Sequence, residues 1–199
     1  MRKNPFLSIL SAVLVIAGIA IIGVSVAQKV EMKANSGSYV LPELVFQKKM
    51  TTKTTSPAVP EPVKRGDLLG TITIPSLHSV IPIYEGTEDS ELKHGVGHFI
   101  GSVLPGVKDN SVLAGHRDSV FSQLGRLKLG ELLIVRTVDG RFIYKISRFR
   151  IVDGNDRTVI VPTKTAVLTL STCYPFRFFG NAPQRYIVSA NLVKTTHNI

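Results

Sequence analysis

Hydrophobic positions fall into two regimes along the 199-residue chain. Phe6 to Ala27 is a run of 22 residues without a charge, rich in Ile, Val, Ala and Leu. As a helix it would extend about 33 Å, enough to cross a hydrocarbon core about 30 Å thick. Arg2 and Lys3 are the only charges before it, which predicts a cytoplasmic N-terminus and an extracytoplasmic remainder. The competing reading is a cleaved signal peptide, with Ser25-Val26-Ala27 as the small-residue site. A secretory apolar segment has roughly 7–15 residues, so the longer run favours an uncleaved anchor.

After the run the pattern changes. Residues 29–47 hold scattered apolar positions, and residues 48–63 are dominated by Thr, Lys and Pro, which reads as an extended linker. From residue 66 the apolar runs are short and β-rich. Leu68–Ile74 and Val80–Tyr84 are the first two predicted strands, broken by Pro75 and Pro82. Thr87 could cap a short helix that ends at Gly95, and Asp118 a second one through Leu124. Ser111–Ala114, Glu131–Thr137, Arg141–Val152, Val159–Val161, Ala166–Ser171 and Arg185–Leu192 bring the strands to about eight. Phe142, Tyr144 and Ile146 share one face of their strand, and Asp139-Gly140 predicts a tight hairpin before it. Many short strands with turn residues between them point to a closed barrel or a sandwich. The expected organisation is a short cytoplasmic N-terminus (1–5), a membrane anchor (6–27), an extracytoplasmic linker (28–65), a compact domain (66–195) and a tail (196–199).

Composition narrows the function classes. With 44% apolar and 19% charged residues the chain is not disordered throughout. One cysteine can form neither an internal disulfide nor a cysteine metal cluster. The net charge is +10, and after residue 28 there are 22 basic against 14 acidic residues. No basic helix and no aromatic run interleaved with Lys or Arg accompanies that surplus, so nucleic acid is not an expected partner.

A lone extracytoplasmic thiol is a liability unless it is buried or used. Cys173 ends the strand Ala166–Thr172 and is followed by Tyr174-Pro175, which places it at the mouth of the sheet. A nucleophilic thiol needs a proton-handling partner and a donor for the developing oxyanion. Among the five histidines, His197 lies in the tail, His78 in a turn between strands, and His94 and His98 flank Gly95-Val96-Gly97, where helix-end or backbone contacts are expected. His116 differs, because it follows a strand running into Gly115. Arg185 opens the last strand, either as a surface charge or as a fixed donor aimed into a cleft.

These segments together resemble the sortase family. Thr169-Leu170-Ser171-Thr172-Cys173 is similar to the sortase TLxTC motif, Asn110 to Asp118 to the segment that carries the sortase histidine, and Arg185, twelve residues after the cysteine, to the sortase arginine. Leu104-Pro105-Gly106 is also similar, and the resemblance covers about 67–192. Cys173-Tyr174-Pro175-Phe176 and Gln184-Arg185-Tyr186 look most like class D; the Asp-Pro-aromatic lid motif of class C is missing from the linker.

The resemblance implies a mostly β fold, an eight-stranded sortase-type barrel with short helices, preceded by one N-terminal transmembrane helix. It implies a transpeptidase at the outer membrane surface of a Gram-positive, wall-bearing cell, with no cofactor and no metal. Its partners would be secreted proteins with C-terminal LPxTG- or LPxTA-like sorting signals and a cell-wall precursor amine, lipid II. Cys173 would form a thioacyl-enzyme, His116 would protonate the leaving amine, and Arg185 would bind substrate and oxyanion. Two other readings compete. One is a Cys–His L,D-transpeptidase, whose usual Ser-His-Gly-x-Cys context is missing here. The other is a non-enzymatic, membrane-tethered wall-binding β-domain in which Cys173 is merely buried.

Overall fold

The structure is a computed structural model that describes residues 62–177, 180 and 182–197. The anchor expected at Phe6–Ala27 and the linker up to residue 61 lie outside the described residues. No helix among the described residues is long and apolar enough to cross a membrane.

Eight strands form a closed barrel. They are β1 (Leu68–Ile74), β2 (Ser79–Glu85), β3 (Val96–His98), β4 (Asn110–Ala114), β5 (Leu132–Thr137), β6 (Gly140–Asp153), β7 (Val167–Tyr174) and β8 (Gln184–His197). Their order around the barrel is β1-β2-β3-β4-β7-β8-β6-β5, closed by the antiparallel pairing of β5 with β1. The pairs β2–β3 and β4–β7 are parallel, and the others are antiparallel. Of the two architectures the strand pattern allowed, the barrel is the one formed.

Closure follows from alternation. Ile72 and Ile74, Ile81 and Ile83, Leu133 and Val135, Tyr144 and Ile146, Leu168 and Leu170, and Val188 and Ala190 each sit two apart and point inward to one core. Tyr144 is fully buried, and its hydroxyl accepts a hydrogen bond from Gly106 N at 2.7 Å. That burial pushes its phenol up to about 12. The Thr137–Gly140 pair leaves Val138 and Asp139 as a two-residue hairpin loop, as the Asp-Gly signal predicts.

Several local expectations are corrected. Val159–Val161 pairs with no strand, and the eighth strand is instead the three-residue β3. The first helix, α1, is only Asp89–Leu92, and its cap is Glu88 rather than Thr87. Glu88 and Glu91 bond each other's backbone N–H groups, a reciprocal box that satisfies two end donors. After Asp118 there is no α-helix but a series of turns and a 3₁₀ turn at Leu124–Arg126. β8 runs on through Thr196 and His197, beyond the expected domain end, because β6 pairs with it along its whole length.

Candidate active site

Cys173 and Arg185 face each other directly across the antiparallel β7–β8 pair. With a side-chain period of two, residues paired across strands project to the same face of the sheet. Ser171 and Cys173 therefore share a face with Arg185 and Ile187, and this face is the outer one, since Leu170 and Val188 point into the core. Cys173 is a free, half-buried thiol, so it is not the core residue that a purely structural cysteine would be. Arg185 is also half-buried; its Nη1 donates to Gln184 O at 3.0 Å and Ala182 O at 3.1 Å. Two bonds from one nitrogen hold the guanidinium in place.

His116 reaches the same neighbourhood from β4. The parallel β4–β7 register pairs Ala114 with Ser171. The ladder continues with Gly115 N donating to Ser171 O at 3.1 Å and the Thr172 hydroxyl donating to Gly115 O at 2.7 Å. His116 follows directly, two residues beyond the last paired position of β4, and so leaves the barrel at the end where β7 carries Cys173. The chain then turns sharply, and Phe121 N donates to His116 O at 3.0 Å. Gly115 is required by close approach, because a Cβ there would come within 2.7 Å of the Phe121 ring and 2.9 Å of Val120. Phe121 is thereby folded into the core while His116 stays half-buried at the surface. The three predicted residues thus sit at the ends of three neighbouring strands.

A groove of about 210 Å³ runs along this face. Its floor includes Val112 and Ala114 of β4, Ser171 of β7, and Arg185 and Ile187 of β8. Its outer wall comes from the β6–β7 loop, through Gly154, Asp156, Val159 and Ile160. Thr87 and Phe99 close the other side. The lining is mostly apolar but also holds Arg185 and the Asp153 and Asp156 carboxylates, while Cys173 and His116 are not among the residues that line it. Such a trough can take an extended peptide, with Arg185 as a donor for a developing oxyanion. Among the described residues, no three His, Cys, Asp or Glu side chains converge as metal ligands would.

Behind Cys173 lies an aromatic cluster. Tyr186 stacks on Phe149 and Tyr174 at centroid distances of 5.9 and 6.2 Å, and Phe176 meets Tyr186 edge-on at 5.2 Å. Burial first, and Tyr174 second, push the Tyr186 phenol up from its ordinary value.

The other histidines lie elsewhere. His98 is buried, with Nδ1 2.8 Å from Glu85 Oε2 and Nε2 2.9 Å from Val103 O, which makes it a brace for the loop after β3. His94 is exposed and meets the Tyr84 ring edge-on. His78 is exposed and ends the Pro75–Leu77 turn in a left-handed conformation. His197 contacts Asp139 O from β8.

A family model, described as the sortase domain, matches residues 72–193. The chain belongs to the sortase family. Its sequence is 41% identical to sortase D of Bacillus subtilis over 124 residues, a stretch that spans 62% of this chain and 63% of that relative. Among solved structures, the catalytic domain of B. anthracis SrtD superposes with a TM-score of 0.60 at 36% identity, covering 73% of this chain and 99% of that one. A sortase D5 transpeptidase from Clostridium perfringens gives a TM-score of 0.62 at 25% identity, covering 82% and 94%. The likeness to class D read from Cys173–Phe176 and Gln184–Tyr186 agrees with these matches.

Sequence reading missed three contributors to this sortase site. Arg117 donates to Pro175 O at 3.3 Å and Gly180 O at 2.8 Å, strapping the loop after Cys173 to the histidine turn. Asp109 and Asn110 hold the β6–β7 loop. Their polar side chains beside a strand start were the available signal, but their partners are about 50 residues away.

Proposed function

We propose that this sortase is a membrane-anchored cysteine transpeptidase acting on secreted proteins with an LPxT-type sorting signal. The observation that carries the reading is the strand-paired Cys173 and Arg185, with His116 two residues beyond the end of the adjacent β4 and a groove lined by Arg185 and Ser171 next to them. In the acylation step Cys173 Sγ, as thiolate, attacks the threonine carbonyl carbon and forms a C–S bond. The carbonyl electron pair moves onto oxygen, where Arg185 stabilises it. When the tetrahedral species collapses, the C–N bond breaks and the leaving amine takes a proton from His116. In the second half the amine of a cell-wall precursor, lipid II, attacks the thioester and loses a proton to His116. An amide forms, and the sulfur leaves as the thiolate. The apolar run Phe6–Ala27 would hold the domain at the outer membrane face, where precursor and acceptor meet.

The test is intact-mass measurement of the full-length chain incubated with a panel of LPxTG and LPxTA peptides, without and with an added amine. The expected result is an adduct on Cys173 equal to the peptide up to threonine, discharged by the amine. If no peptide acylates Cys173 although iodoacetamide does, the proposed substrate class is wrong. If iodoacetamide is also inert toward the folded protein, the nucleophile is wrong.

A further inference from the structure

The outer wall of the groove has no sheet of its own to support it. Val159–Thr163 lies between β6 and β7 and pairs with no strand, so its backbone polar groups need other partners. They find them on two consecutive side chains at the start of β4. Asn110 Nδ2 donates to Val159 O at 3.0 Å and to Val161 O at 3.3 Å. Its Oδ1 accepts from the Thr169 hydroxyl on β7 at 2.8 Å. Both amide protons and the carbonyl of this buried side chain are thus engaged. The Asp109 carboxylate accepts from Thr163 N at 2.6 Å and from the Thr163 hydroxyl at 3.5 Å. Asp109 adopts φ = 142°, a region that non-glycine residues rarely occupy, and a strain of this kind persists only where its surroundings hold it. Its own carbonyl accepts from Val167 N at 2.9 Å, which joins the same corner to the first residue of β7.

The first part of the stretch held in this way lines the groove. Val159 and Ile160 line the groove opposite Arg185 and Ile187, and Ile160 is 46% exposed, with no protein partner covering its outer side. We propose that Asp109 and Asn110 are positioning residues for substrate recognition, clamping Val159–Thr163 so that a peptide bound against Cys173 meets a preformed apolar wall. The inference rests on the proposed transpeptidase reading and adds to it a determinant of peptide affinity that touches neither the thiol nor the substrate. A preformed wall removes the ordering cost of the loop from the binding step. The chemistry at position 110 is specific to an amide: an aspartate there would set a carboxylate against two carbonyl oxygens with no proton to offer.

The experiment compares wild type, Asn110→Asp, Asn110→Ala, Asp109→Asn and Ile160→Ala as full-length chains on the LPxTG and LPxTA peptides. Steady-state kcat and KM are read separately, together with the rate of Cys173 alkylation by iodoacetamide and of trypsin cleavage at Arg157 and Lys164, the exposed basic residues that flank the clamped stretch. For the Asn110 variants KM should rise about tenfold or more, as the loss of two hydrogen bonds would produce, with kcat and alkylation nearly unchanged. Cleavage at Arg157 or Lys164 should accelerate. Ile160→Ala, an exposed substitution that leaves the fold intact, should raise KM on its own, and combined with Asn110→Ala it should add little. An unchanged KM in Asn110→Asp, or a fall in kcat and alkylation at constant KM, would overturn the clamp. If instead wild type turns over no peptide while cleavage at Arg157 or Lys164 still accelerates in the Asn110 variants, the transpeptidase reading fails, and with it the substrate role of the clamp.

Discussion

Replacement of Arg185 separates a fixed oxyanion donor from a surface charge. Its Nη1 is committed to Ala182 O and Gln184 O, and its strand partner is Cys173, the proposed nucleophile. Arg185→Ala removes one preorganised donor, a loss of about 10²–10³ in rate, or roughly 2.7–4 kcal/mol. The same change breaks two hydrogen bonds to carbonyls at a half-exposed strand end. Water can replace those donors, so stability should fall by no more than about 1–2 kcal/mol. Arg185→Lys is the sharper probe. An ammonium keeps the charge, but it is a single point with rotatable donors and cannot grip both carbonyls while presenting a second nitrogen to substrate. It should lose about tenfold or more in kcat/KM with almost no change in thermal unfolding. The assay is kcat/KM on a sorting-signal peptide, with unfolding followed in parallel and Arg177→Ala, an exposed residue of the β7–β8 loop, as control. Wild-type kcat/KM in Arg185→Lys would refute the forked role, and wild-type kcat/KM in Arg185→Ala would reduce Arg185 to a surface charge.

Four further outcomes are expected. Cys173→Ala should abolish peptide cleavage and transfer while leaving thermal unfolding nearly unchanged, because the sulfur sits on the half-exposed outer face; retained turnover would exclude the thiol as nucleophile. Ser111→Ala should raise stability by up to about 1 kcal/mol in chemical denaturation, because Ser111 Oγ is buried without a hydrogen-bond partner and its hydroxyl is desolvated for no return. Tyr144, raised to about 12 in the folded protein, keeps its proton between its ordinary value of 10.0 and that point while the unfolded chain releases it. Its contribution is therefore complete below 10 and lost as pH rises toward 12, and Tyr144→Phe should flatten that part of the stability–pH curve while lowering stability at neutral pH by leaving Gly106 N without its acceptor. Asp109 is held below the usual carboxylate range by the backbone N–H groups of Thr163 and Asn110. Its contribution is present above about pH 4 and lost as pH falls through the lower folded value, so the stability advantage of wild type over Asp109→Asn in urea unfolding should be full near neutrality and shrink as pH falls below about 4; an advantage independent of pH would refute it.

Much of this architecture is written in local pattern. The alternation of Phe142, Tyr144 and Ile146 marks an inward face, and all three are buried. The Asp139-Gly140 turn and the positions of Cys173, His116 and Arg185 at strand ends are equally local, and strand, turn and strand-end signals need only a few neighbouring residues. Where the reading erred, the deciding contacts were distant. Val159–Val161 has the apolar, β-branched composition of a strand, yet its carbonyls are taken by an asparagine about 50 residues earlier, and it forms a wall rather than a ladder. Val96–His98 is too short to show a period and becomes a strand only because β2 and β4 lie on either side of it. Thr87 has the composition of a helix cap, but the reciprocal bonds of Glu88 and Glu91 start the helix one residue later. The side-chain period of a strand says which residues share a face, but not which strand lies beside it. That Cys173 faces Arg185, and that β4 delivers His116 beside the end of β7, follows from the β7–β8 and β4–β7 pairings, and those were decided by closing eight strands around one core.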